Sequence, residues 1–181
     1  KLSPFVSSEV EIPHASSAPL MTPQARVQAA IEALDAVIAA ARGQGASADR
    51  IIAEFFRARR YMGSGDRRAV RELAYGAIRA CGPIPASGRA AMLRLAEGHA
   101  DLACLFDSTR HAPAPIAPGE PVAAGGIAPA WLEQRLAASG IVGADAAALL
   151  ERAPLDVRTN RLKAVPELPL AGERLPVPDG L

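Results

Sequence analysis

Between Thr22 and Phe106 one pattern recurs: apolar residues spaced three and four apart, each run closed by a glycine or proline break. Such spacing lines an apolar stripe along one side of a helix, so this stretch buries its apolar residues by packing helices on one another. In the first run, Thr22 to Arg42, the stripe is Val27, Ala30, Ile31, Leu34, Val37, Ile38 and Ala41. Thr22 is placed to cap it, Pro23 suits its first turn, and Gly43 and Gly45 end it. Ser47 is the expected cap of a second helix carrying Ile51, Ile52, Phe55 and Phe56 and reaching about Arg60. After the Gly63-Ser64-Gly65-Asp66 turn, Asp66 is expected to cap a third, with Val70, Leu73, Ala74, Ala77 and Ile78 inward and Gly82-Pro83 as its stop. Ala86 to Glu97 forms a fourth run and Asp101 to Phe106 a short fifth. Composition agrees: 50% of the 181 residues are hydrophobic, many of them alanine, and Phe, Trp and Tyr together number seven, which suits close-packed helices better than an aromatic-rich sandwich. The expected class is all-α, a helical bundle.

The pattern changes after residue 110. His111 to Pro129 holds five prolines and three glycines and reads as a linker or a long surface loop. Helices follow over Ala130 to Ala138 and Ala144 to Arg152. Leu155 to Lys163 then alternates apolar or β-branched residues with charged ones, the pattern of a strand. The expected organisation is therefore an extension or tag without order over 1–21, with Met21 as the native start, a helical domain over 22–110, the loop over 111–129, and the beginning of a small α/β subdomain over 130–181. No run approaches the roughly 18 to 20 apolar residues of a membrane span. Cys81 and Cys104 stand far apart without metal-ligand spacing, and the first residues lack the marks of a signal peptide, so a reducing cytosol is the expected home.

Net charge is only +1, yet it is unevenly spread. Residues 57–94 carry nine arginines against Asp66 and Glu72, a local charge of +7. Seven of the nine, Arg57, Arg59, Arg60, Arg67, Arg68, Arg71 and Arg79, lie between the end of the second helix and the end of the third. A guanidinium can fork onto phosphate oxygens and stack on bases, which makes this segment a candidate RNA surface. The competing reading is a solvated face in an arginine-favouring composition, with Arg67 or Arg68 paired to a carboxylate such as Asp35. Tyr61 and Tyr75 are the only aromatic side chains available to interleave with these charges, and Tyr75 fits the bundle interior. No nucleotide-cradling glycine motif follows a strand, and His14, His99 and His111 sit apart from one another. This part of the chain carries no visible catalytic, cofactor or metal site.

Two stretches resemble a known family. Gly65-Asp66-Arg67-Arg68-Ala69-Val70-Arg71-Glu72-Leu73-Ala74-Tyr75-Gly76-Ala77-Ile78-Arg79 resembles the signature helix of NusB-like domains. Ala153-Pro154-Leu155-Asp156-Val157-Arg158-Thr159-Asn160-Arg161-Leu162-Lys163 resembles a strand of the RsmB-type (Sun/Fmu) RNA cytosine-C5 methyltransferases, and Ala130-Trp131-Leu132 resembles the helix before it. The resemblance covers roughly Arg26 to Lys163. It implies a NusB-like RNA-binding bundle joined to the start of an RNA-recognition subdomain, in an enzyme that uses S-adenosylmethionine in a domain further along. It adds Arg158, Arg161 and Lys163 to the RNA-contacting residues, implies ribosomal RNA as the partner of a monomer, and assigns no catalytic role to Cys81 or Cys104. A stand-alone NusB-like RNA- or protein-interaction module acting in transcription antitermination is the alternative, and the Arg158 to Lys163 strand argues against it.

Overall fold

The computed structural model describes residues 21–151 and residue 176. Helix α1 (Pro23–Arg42) starts where the sequence supplies both a cap and a proline, with Thr22 Oγ1 accepting from the Ala25 amide at 3.2 Å. Val27, Ala30, Ile31, Ala33 and Leu34 on it are almost wholly buried. The alanines among them let neighbouring helices approach closely, and α1 packs against the three that follow, α2 (Ala48–Ala58), α3 (Ser64–Ala80) and α4 (Gly88–Ala96). Ile52, Phe55 and Phe56 are the buried face of α2, and the two phenyl rings meet edge to face at 5.8 Å. Val70, Ala74 and Ala77 are the buried apolar residues of α3, and α4 contributes Ala90, Ala91, Met92 and Leu93. A short α5 (Ala100–Ala103) and the residues after it bring Leu102 and Phe106 into the same core.

Helices α1 and α4 cross at Gly88. A Cβ there would run into the Ile31 carbonyl oxygen and crowd Leu34, so only glycine fits, and the Gly88 amide donates to Asp35 Oδ1 at 2.6 Å. Ser87 caps α4 by accepting from the Ala90 amide at 3.1 Å, which starts that helix two residues later than the Ala86 expected from periodicity. Ser47 holds the N-cap position of α2 without making a side-chain cap bond.

The expectation for Asp66 is corrected. Helix α3 begins at Ser64 behind Gly63, so Asp66 lies within the first turn instead of capping it. Its carboxylate is 2% exposed, is paired with Arg26 of α1 at 2.9 Å, and also accepts the Met21 amide at 3.3 Å. The charge that reads locally as a cap is the α3 half of a tertiary ion pair.

Residues 111–129 lie along the bundle. Ala123 is buried and its amide donates to the Ala90 carbonyl at 3.1 Å, Gly82 donates to Ala124 at 3.2 Å, and an isolated antiparallel bridge joins Cys81 to Gly125. Arg89 on α4 holds the loop from one side chain: it donates to the Ala114 and Pro115 carbonyls at 3.0 Å each and grips both oxygens of Glu120, with Phe106 beneath its guanidinium. That hydrogen bonding, helped by the Ala117 amide, holds the Glu120 carboxyl down at about 2. A carboxyl depressed in the folded state stabilises it fully above its unfolded value of about 4.3 and loses that contribution as pH falls toward 2. Hydrogen exchange at the Ala123 amide, referred to the α1 core amides to remove the intrinsic pH dependence, is therefore expected to speed up selectively below about pH 4. Arg89→Ala is expected to give the same selective loss of protection at neutral pH.

Beyond the loop stand α6 (Ala130–Ala138) and α7 (Gly143–Ala148); α6 belongs to the unit that ends at Val142, and α7 to a second unit that begins at Gly143. The described residues are helical and contain no strand, in keeping with an all-α class. The strand expected over 155–163 lies outside the described residues.

Candidate nucleic-acid interface

The arginine segment divides into two groups once side chains are placed. Arg59, the C-cap residue of α2, pairs with Glu32 at 2.9 Å and stacks over Phe55 at 3.6 Å. Arg67 is half-buried and its Nε donates to the Met62 carbonyl at 2.9 Å. These two hold the turn between α2 and α3 and already have partners within the bundle. Neither Arg67 nor Arg68 pairs with Asp35, whose Oδ1 accepts the Gly88 amide.

Arg57, Arg60, Arg68 and Arg79 are exposed and make no ion pair among the described residues. Arg71 is exposed too, 5.4 Å over the Phe56 ring. Arg57 and Arg60 close α2 and its following turn. Arg68, Arg71, Tyr75 and Arg79 follow the three-and-four spacing on α3, which aligns them along one stripe. Tyr75 ties that stripe to α2: its hydroxyl donates to Asp49, and burial together with that carboxylate pushes its pKa up to about 12. Tyr61, in the turn, is 65% exposed. The result is a cationic surface on two elements whose neighbouring arginines fix the backbone beneath it. Guanidinium groups held there can contact successive phosphates of a polyanion.

Arg158, Arg161 and Lys163 lie outside the described residues. Elsewhere the chemistry is sparse. Cys81 is buried, which pushes its thiol pKa up, and Cys104 is exposed; neither forms a disulfide. Among the described residues no group of three or more His, Cys, Asp and Glu could hold a metal ion, and no helix is long and apolar enough to cross a membrane. Two residues absent from the candidate set, Arg110 and His111, line the same cleft as Tyr61; about fifty residues separate them in the chain, and nothing local signals the approach. No protein-family model, curated protein or solved structure matches this chain.

Proposed function

We propose that this chain is the RNA-binding N-terminal region of an S-adenosylmethionine-dependent ribosomal RNA cytosine-C5 methyltransferase, acting as a monomer in the cytosol. The observation that carries the RNA-binding part is the set of exposed arginines, Arg57, Arg60, Arg68 and Arg79, without a carboxylate partner among the described residues. Like charges so close in sequence repel one another. An anionic ligand compensates that repulsion, and arginine in place of lysine suits a ligand that offers forked oxygens and flat bases. The methyltransferase part is supported by the resemblance of the Gly65 to Arg79 helix and the Ala153 to Lys163 segment. Among the described residues no glycine-rich loop follows a strand, so they do not fit S-adenosylmethionine.

The test is fluorescence anisotropy of the full chain with a single-stranded ribosomal RNA fragment at 0.1 M salt. Saturable binding that weakens in Arg57→Ala/Arg60→Ala/Arg68→Ala supports the proposal. Absence of binding, or binding indifferent to these three substitutions, overturns it.

A further inference from the structure

Beside the arginine surface lies a cleft of 620 Å³, within the roughly 300–1,000 Å³ typical of small-molecule sites. Its lining includes Ala25, Ala29 and Glu32 from α1, Tyr61 from the turn after α2, and Arg110 and His111 from beyond α5. Alanines Ala25 and Ala29 leave the space open. Tyr61 stands at the side with most of its surface in water, which leaves its ring open to a second flat group.

The turn that carries Tyr61 is fixed in advance. Met62 beside it is 2% exposed, its amide donates to the Arg59 carbonyl at 3.1 Å, and its carbonyl accepts Arg67 Nε at 2.9 Å. Arg59 is in turn held by Glu32 and the Phe55 ring. The backbone of this turn therefore has little entropy left to lose when a ligand packs on it. Charge sorts what can enter. Glu32 inside the cleft repels a phosphate, although Arg59 already balances it, and its carboxylate can accept from an exocyclic amine or ring N–H. Arg110 at the cleft and Arg60, the residue before Tyr61, are exposed cations without an ion-pair partner among the described residues, so phosphates near the cleft are attracted.

We infer that this cleft takes one unstacked nucleobase of a single-stranded RNA, stacked on Tyr61 while its flanking phosphates meet Arg60 and Arg110. The inference rests on the RNA-binding reading above and extends it from backbone attraction to base contact. A duplex keeps its bases stacked and cannot supply this group.

The experiment compares two probes on the full chain by anisotropy: a short single-stranded oligoribonucleotide, and an oligomer with the same number of phosphates that is abasic throughout. The wild-type chain is expected to prefer the base-bearing probe. Tyr61→Ala is expected to lose that preference, weakening binding roughly five- to 150-fold, the range for removing one stacking platform. Tyr61→Phe retains the ring and is expected to retain the preference, which separates stacking from any effect on folding. The slope of log affinity against log salt is expected to be the same in Tyr61→Ala, because no phosphate contact is removed. Equal affinity of the wild-type chain for both probes, or Tyr61→Ala indistinguishable from wild type, overturns the base site and leaves arginine-dependent RNA binding standing. No binding of either probe overturns the RNA reading and this inference with it.

Discussion

Replacing Arg26 by methionine is expected to lower the free energy of unfolding by about 3–4 kcal/mol, the largest loss we anticipate from any single charged residue of the bundle. Asp66 is 2% exposed and its carboxylate is met by the Arg26 guanidinium and the Met21 amide. Methionine keeps much of the aliphatic packing of arginine and removes the charge, which strands a carboxylate where water cannot reach it. The reverse substitution is not equivalent. Asp66→Asn leaves an acceptor for the Met21 amide, and the Arg26 side chain, 25% exposed, can turn toward solvent, so about 1–2 kcal/mol is expected. Urea unfolding of the two variants measures the asymmetry. Equal losses would mean that the pair behaves as a surface ion pair and does not anchor α3 to α1.

This pair also marks where sequence reading stops. Periodicity finds α1, α2 and α3 because each carries an uninterrupted stripe, such as Val27, Ile31, Leu34 and Ile38, and because Thr22 and Pro23 advertise a helix start. Asp66 follows a glycine-rich turn and so carries the local mark of a cap. Its actual partner is 40 residues away, and no window of ten or fifteen residues contains that information. The arginines fail to separate for the same reason. Arg59 and Arg60 are neighbours with the same chemistry, yet Arg59 is spent on Glu32, 27 residues distant, while Arg60 is left in water. Local charge density locates the candidate surface; only the tertiary partners tell which of its members are free. The 111–129 segment is a third case. Its prolines and glycines exclude a helix, but the grip of Arg89 on Glu120 spans 31 residues and is invisible in composition.

The second large effect is on affinity. Arg57, Arg60 and Arg68 carry no ion pair among the described residues, so their removal should cost the bundle at most ~1 kcal/mol each, and removing their mutual repulsion offsets part of that. Against single-stranded RNA, each phosphate contact contributes about 0.7 to the slope of log affinity against log salt, which at 0.1 M salt is roughly a fivefold effect per contact. Three lost contacts together should weaken binding about a hundredfold at that salt. A structural role for the same residues predicts the opposite pattern, a fall in melting temperature with affinity little changed.

The measurement that decides between them is the salt dependence of RNA affinity, taken side by side for the wild-type chain and for Arg57→Ala/Arg60→Ala/Arg68→Ala, with thermal unfolding of both followed by circular dichroism. Phosphate recognition by this surface predicts a slope shallower by about 2 in the triple variant, with unfolding curves that nearly superimpose. An unchanged slope accompanied by a large loss of thermal stability would contradict it, and would identify these arginines as part of what holds the bundle together.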